Sequence, residues 1–154
     1  MIYFAYGADL NPSRMVQNVP GYKSLGAARL KDWGIAFPRY SPTERSATMS
    51  IVRQPGAIVW GALYEVPDWD LPILDSIFGF DPDGPQDFNE HVRRDVEAER
   101  HGRAQAIDAQ TYVAVPDSRG APPTPEYMML VCDGARYHGL PRAYIGALQA
   151  VRTG

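Results

Sequence analysis

Proline and glycine punctuate this chain from one end to the other, and they limit the length of everything between them. There are 14 of each among 154 residues, about 9% apiece against a usual share of roughly 5% and 7%. They are dispersed, with no low-complexity block, no linker and no internal repeat. The spacing predicts many turns and few long helices. At this length the chain makes one domain, residues 1–154, around one core, and a hydrophobic share of 45% is enough to fill that core. Fifteen basic residues stand against eighteen acidic ones, for a net charge of −3. That balance argues against a basic nucleic-acid binder and against a disordered acidic tail. No apolar run approaches the roughly 18–20 residues of a membrane span, and Met1 leads into Ile2-Tyr3-Phe4 with no basic region of a signal peptide. Cys132 is the only cysteine, so no intramolecular disulfide can form, which suits a reducing cytoplasm. His91, His101 and His138 are scattered and show no metal-ligand spacing.

The punctuation divides the chain into elements. Ile2–Tyr6 reads as a buried strand stopped by Gly7. Asn11 caps a short helix that starts at Pro12 and runs to about Asn18. Ala27–Leu30 and Gly34–Phe37 read as strands around a Lys31-Asp32 turn, and Ala47–Val52 and Ile58–Val66 as a hairpin around Gln54-Pro55-Gly56. Apolar residues at Leu71, Leu74, Ile77 and Phe78 predict a helix over 68–78, stopped by Gly79. A loop at 81–85 precedes a hairpin, His91–Glu99 with Ala104–Val115. Thr124-Pro125 opens a helix to about Tyr137, and Pro141 opens a last one to about Val151. Strands dominate the middle and helices the end. The expected class is α+β, a small mixed β-barrel with peripheral helices.

Few residues carry chemistry by themselves. Gly7, just after a strand, lets the backbone amides of Tyr6-Gly7-Ala8-Asp9-Leu10 turn toward one point, as an anion-holding nest does, though an ordinary strand-to-helix turn has the same sequence. Asp75, Asp81, Asp83 and Glu90 cluster near the mid-chain helix, where solvated loop charges are the common case. His91 opens a strand directly after a loop, a placement that suits a site. His101 and His138 fall in turns and read as exposed. Arg93-Arg94 reads as a solvated strand edge, Cys132 as a small core residue, and Trp33, Trp60 and Trp69 as core. No coiled-coil heptad fixes an oligomeric state, so a monomer or a homodimer is expected.

Taken together, these segments resemble the γ-glutamylcyclotransferase-like family. Tyr3-Phe4-Ala5-Tyr6-Gly7-Ala8-Asp9-Leu10 is similar to its Y-F-A-Y-G-S-N-L loop. Val59-Trp60-Gly61 matches its V-W-G strand, and Leu74-Asp75-Ser76-Ile77-Phe78-Gly79 falls on its L-D-x-x-E-G segment. His91-Val92-Arg93 falls on a Y-x-R strand start. Ala121-Pro122-Pro123-Thr124-Pro125-Glu126-Tyr127 and the Gly139-Leu140-Pro141 tail match its C-terminal motifs. The resemblance covers nearly the whole chain in order. It implies the same barrel and an intramolecular reaction needing no metal and no organic cofactor: the α-amine of a γ-glutamyl group attacks its own γ-carbonyl, releasing an amine and leaving 5-oxoproline. It also implies that Tyr6, Gly7, Ala8, Asp9 and Leu10 hold the γ-glutamyl end, that Tyr112 and Tyr127 line the pocket, and that a glutamate moves the proton.

That glutamate position is occupied here by Phe78, which cannot accept a proton. Losing a positioned base costs about 10²–10⁴-fold in rate. Ala8 lacks the loop serine's hydroxyl. Asp9 replaces asparagine and sets a negative charge where a substrate carboxylate is expected. Repulsion between two such charges about 4 Å apart is roughly 1–4 kcal/mol; alternatively, Asp9 pairs with the substrate ammonium. His91 stands at the family's tyrosine position, and its ordinary pKa near 6.5 suits a base. Three functions follow as expectations. One is an enzyme with altered chemistry on a small acyl-amine substrate, using His91 or Asp9. Another is a catalytically silent module binding a small amine or acyl ligand. The third is an unaltered cyclotransferase whose carboxylate comes from Glu90 or Asp83.

Overall fold

The structure is a computed structural model and describes residues 1–103 and 105–154. Five strands close into a barrel in the order β1-β3-β2-β4-β5, which is the expected α+β class. Strand β1 (Ile2–Ala5) runs antiparallel to β3, with Tyr3 opposite Tyr64 and Ala5 opposite Ala62. Strands β2 (Lys23–Ser41) and β3 (Ser46–Glu65) are far longer than their turn signals predict. Lys31-Asp32 and Gln54-Pro55-Gly56 do not reverse the chain. They face each other across one ladder, since Lys31 pairs with Ile58 while Trp33 pairs with Arg53. Asp32 and Gly56 both take positive φ, at 65° and 83°, and the Asp32 carboxylate accepts the Gly56 amide at 2.9 Å. Turn-forming residues supply a left-handed backbone whether the chain reverses or bulges, so here they form a bulge that bends both strands.

Strands β4 (His91–Arg100) and β5 (Ala106–Ala114) form the second hairpin. Ala104, where the sequence places the start of the last strand, lies outside the described residues. The barrel closes between β1 and β5 through a parallel bridge at Tyr3 and Gln110. Two hydroxyls reinforce that seam: Thr111 Oγ1 donates to the Phe4 carbonyl at 2.7 Å, and the Tyr6 hydroxyl donates to the Tyr112 carbonyl.

The helices form where the caps predict. Helix α1 (Pro12–Asn18) is capped by the Asn11 side chain, which accepts the Ser13 amide at 3.1 Å. Helix α2 (Leu71–Ile77) follows a 3-10 turn at Asp68–Asp70 and ends before Gly79, whose φ is 60°. Helix α3 (Pro125–Tyr137) is capped by Thr124, which accepts the Tyr127 amide at 3.2 Å. Helix α4 (Arg142–Gln149) closes the chain. The core gathers Phe4, Leu10, Met15, Leu30, Ile51, Leu63 and Leu74 with Cys132 from α3. Trp33 is buried as expected and Trp60 packs against the core, but Trp69 is exposed. Its position in the 3-10 turn points it away from the face that Leu74 buries. Among the described residues no helix is long and apolar enough to cross a membrane.

Helix α3 presses directly on the short turn that follows β1. A Cβ at Gly134 would lie 2.5 Å from both the Asn11 nitrogen and the Leu10 carbonyl carbon. These are backbone atoms and cannot rotate away. Gly134→Ala is therefore expected to destabilise the fold by about 1–3 kcal/mol. A Cβ at Gly146, within α4, meets nothing within 4 Å, so Gly146→Ala is expected to stabilise it by roughly 0.5–1 kcal/mol. Thermal or urea unfolding of the two variants checks both signs.

Candidate functional site

Two pairs of residues that face each other across neighbouring strands brace one cavity, to whose lining each pair contributes one ring, Tyr3 and Tyr112. Tyr3 and Tyr64 are partners between β1 and β3. Both hydroxyls converge on Asp9, in the 3-10 turn Ala8–Leu10. Tyr3 donates to the Asp9 carboxylate at 2.7 Å, and Tyr64 donates to the Asp9 carbonyl at 2.7 Å. With its proton committed there, the Tyr64 oxygen accepts from His138 Nε2 at 2.9 Å. His138 is thus half-buried and engaged, contrary to the exposed turn residue that its position suggested. Burial pushes the Asp9 carboxyl above its ordinary pKa, against the opposing pull of the Tyr3 hydrogen bond and of Arg14.

The second pair is Arg93 and Tyr112, opposite each other between β4 and β5. Both reach Asp75 on α2. The Arg93 guanidinium contacts both carboxylate oxygens at 2.7 Å, and the Tyr112 hydroxyl donates to one of them. Arg93 is therefore an ion-pair partner and not a solvated edge, while Arg94 is exposed. The pairing holds the Tyr112 ring still, and the Phe78 ring stacks face to face on it, with centroids 4.2 Å apart and planes 7° apart. Phe78 also meets the edges of Tyr3 and His91, at 6.3 and 5.2 Å.

The resulting cavity, about 680 Å³, opens between the turn after β1, the tip of the β2–β3 hairpin, the end of α2 and the start of β4. It is lined by Tyr6, Gly7, Ala8, Asp9, Phe78, Glu90, His91, Tyr112 and Tyr127, whereas Leu10, Asp75, Asp81 and Asp83, also singled out in the sequence, lie outside it. Leu10 is fully buried and packs in the core, so its place in the motif is structural. The N–H groups of Gly7, Ala8 and Asp9 precede the first hydrogen bond of the 3-10 turn, Leu10 N–H to the Gly7 carbonyl. They have no backbone or side-chain acceptor among the described residues, as expected of the opening of a helical turn. Gly7 sits at close approach: a Cβ there would lie 3.3 Å from the Tyr127 hydroxyl, a tight contact with a side chain that accepts the Met49 amide at 3.0 Å.

His91 is fixed in one tautomer. Its Nδ1 lies 2.9 Å from the Phe78 carbonyl, an oxygen that can only accept, so Nδ1 carries the hydrogen and Nε2 keeps a lone pair. Burial lowers its pKa below the ordinary 6.5, with a contribution from Arg39 in the same direction and opposing ones from the Phe78 carbonyl and Glu90. The imidazole is neutral at pH 7. Glu90 is exposed at the mouth. Asp83 lies in the neighbouring loop groove and does not line this cavity. Arg14 and Glu44, also at the mouth, pair with each other through two hydrogen bonds. Among the described residues no group of three or more His, Cys, Asp or Glu side chains is placed to hold a metal. A wider cleft of about 880 Å³ lies on the far side, beside Trp33 and Glu99. Its cations are engaged, Lys31 by Glu99 at 2.9 Å and Arg53 over the Trp33 ring at 4.3 Å, and it contains none of the motif residues.

The sequence missed the two cross-strand clamps, Tyr3 with Tyr64 and Arg93 with Tyr112. Their signal is the strand register, which appears only when the barrel is closed.

A barrel with this cavity at the β1–α1 turn has known relatives. Residues 58–148 match the AIG2-like family, and the chain belongs to this γ-glutamylcyclotransferase-like family. A curated γ-glutamylcyclotransferase of Homo sapiens is 29% identical over 155 aligned positions, covering 97% of this chain and 78% of the relative. The Mus musculus γ-glutamylcyclotransferase is 27% identical over the same shares. A solved structure titled γ-glutamyl cyclotransferase superposes with a TM-score of 0.89 at 28% identity, covering 100% of this chain and 89% of its own.

Asp9 offers a test of the buried geometry. Its pKa in the folded state lies above the ordinary 3.8, so the native state holds a proton that the unfolded chain has released. Stability therefore falls as pH rises through 3.8 toward the folded value, and stays lowered at neutral pH. Asp9→Asn keeps an acceptor for the Tyr3 hydroxyl and removes the buried charge. The variant is expected to melt about 2–4 °C higher at pH 7, the shift that roughly 1 kcal/mol gives in a domain of this size. The gain is expected to vanish in acid below 3.8, as melting curves across pH would show.

Proposed function

We propose that this chain is an enzyme of the γ-glutamylcyclotransferase type whose proton acceptor is His91. Its substrate is a small γ-glutamyl compound or a related acyl-amine. The free amine nitrogen attacks the γ-carbonyl carbon, the bond from that carbon to the leaving nitrogen breaks, and a five-membered lactam forms. His91 Nε2 takes a proton from the ammonium so that the neutral amine can attack; that proton and the second one the nitrogen sheds as the lactam forms both pass to the departing nitrogen, which leaves as an ammonium. The products are 5-oxoproline, or its analogue, and a free amine. Ring closure loses little entropy, so the protein has mainly to orient the chain and move protons. The amides at Gly7, Ala8 and Asp9 bind the acyl end, the Asp9 carboxylate attracts the ammonium, and Phe78, Tyr112 and Tyr127 form the apolar wall. The reaction calls on no metal and no organic cofactor, and we assign it to the cytoplasm.

The observation that carries this reading is the contact between His91 and residue 78. The family pattern has a glutamate at that position. Here its side chain is a ring stacked on Tyr112, while its backbone carbonyl sets the His91 tautomer that leaves Nε2 basic. The side chain at position 78 removes one base, while the backbone of the same residue, whatever its side chain, orients another beside it. A second reading draws on the same stacking: an aromatic ring at position 78, in place of a carboxylate there, suits a silent binder of a small amine or acyl ligand.

A panel of γ-glutamyl amines and γ-glutamyl amino acids, assayed for 5-oxoproline, separates the two. Turnover is expected, with kcat reduced about 10²–10⁴-fold by His91→Ala and little changed by Glu90→Gln. Because only neutral His91 accepts a proton and its pKa is lowered, the rate is expected to be flat through neutral pH and to fall only in acid, below 6.5. Loss of activity in Glu90→Gln with survival in His91→Ala would move the base to Glu90. No turnover on any member, with a thermal shift from the same ligands, would establish the binding module.

A further inference from the structure

We infer that the face formed by α2 and the loop after it is a docking site for a basic, apolar segment of a partner protein. From residue 54 to residue 92 the chain contains no lysine and no arginine. Within that stretch Trp69 and Phe88 are 81% and 82% exposed, and Ile73 and Ile77 are 49% and 47% exposed. These are not scattered apolar residues of the kind any surface carries. Trp69, Ile73 and Ile77 recur every four residues along the 3-10 turn and α2, so they form one stripe along the outside of that helix. Phe88 lines a groove to which the same segment contributes Leu71 and Pro72; the stripe lies beside that groove rather than in it, and Ile77 also lines the cavity described above.

The groove has a volume of about 720 Å³, and its apolar walls are Leu71, Pro72, Phe80, Pro82, Pro85 and Phe88. Its rim is acidic, with Asp68, Asp81 and Asp83 all exposed. The cations that reach this region among the described residues are already taken. Arg93 is bound to Asp75 at 2.7 Å, and the terminal amine of Met1 lies 3.2 Å from Asp68. An apolar trough inside a ring of carboxylates attracts a segment that presents apolar side chains between lysines or arginines. The same ring repels a second copy of this chain, which would bring two acidic rims together, and an anionic membrane for the same reason.

The probe is a synthetic amphipathic helix of leucine and lysine, titrated into the full chain by calorimetry. Two control peptides replace every lysine by glutamine or every leucine by serine. Saturable one-to-one binding is expected, weakened by salt and lost with either control. Trp69→Ser and Phe88→Ser are each expected to weaken it about tenfold or more, with unchanged melting temperatures because both side chains lie in solvent. Tryptophan emission should shift to shorter wavelength on binding, and Trp69→Phe should abolish the shift while retaining the calorimetric signal. The inference is overturned by absence of binding, by equal binding of the leucine-free peptide, or by indifference to both serine variants. It is also overturned if sedimentation shows a dimer that the same two variants dissociate, because the face would then join copies of this chain.

Discussion

A carboxylate taken out of water must find compensating partners, and the way Asp75 finds them organises the cavity. Its oxygens receive the Arg93 guanidinium and the Tyr112 hydroxyl, two side chains that the β4–β5 register sets opposite each other. One buried charge on a helix therefore locks two positions of a strand pair and ties α2 to the barrel. The Tyr112 ring, so held, is the platform on which Phe78 lies. The Phe78 backbone in turn holds His91. Removing one partner from such a group leaves the others buried without compensation, which is why these positions act as a unit.

Asp9 follows the same logic with weaker compensation. It has a phenol in place of a guanidinium, and its carboxyl is accordingly pushed upward by burial. The two aspartates sit in different electrostatic settings within one small fold. Asp75 belongs to a neutralised pair facing the scaffold. Asp9 lines the cavity with charge that protein cations only partly balance. A ligand carrying an ammonium group would complete that balance, whereas a second carboxylate near it would worsen it.

How much of this was legible in the sequence depended on the range of the interaction. Caps and stops are local: Asn11 and Thr124 started their helices, and Gly79 followed the end of its own, where their chemistry requires. The motif residues around Gly7, Phe78, His91 and Tyr127 also came together in one cavity. Leu10 did not join them, because a motif match does not say which side chains point inward. The turn signals at Asp32 and Gly56 were real as backbone conformations and misleading as topology: each alone reads as a reversal, and only their pairing makes a bulge. The cross-strand clamps were illegible for the same reason. Nothing local distinguishes Tyr64 from any other strand tyrosine until register sets it opposite Tyr3. Trp69 shows the converse, a residue type assigned inward by habit and left outside by the helix phase.

The way the barrel is sewn shut has a consequence for the chain as it is made. The seam joins residues 3–6 to residues 110–112, and the cavity also needs Tyr127 beyond it. The long β2–β3 ladder can assemble from its own neighbourhood, but the pocket is composed of the most distant contacts in the molecule, and such contacts bear the largest loop-closure cost. A ribosome-bound chain accordingly has no complete binding cavity until α3 has emerged. Small molecules can stabilise the finished protein, but they cannot shepherd its early folding.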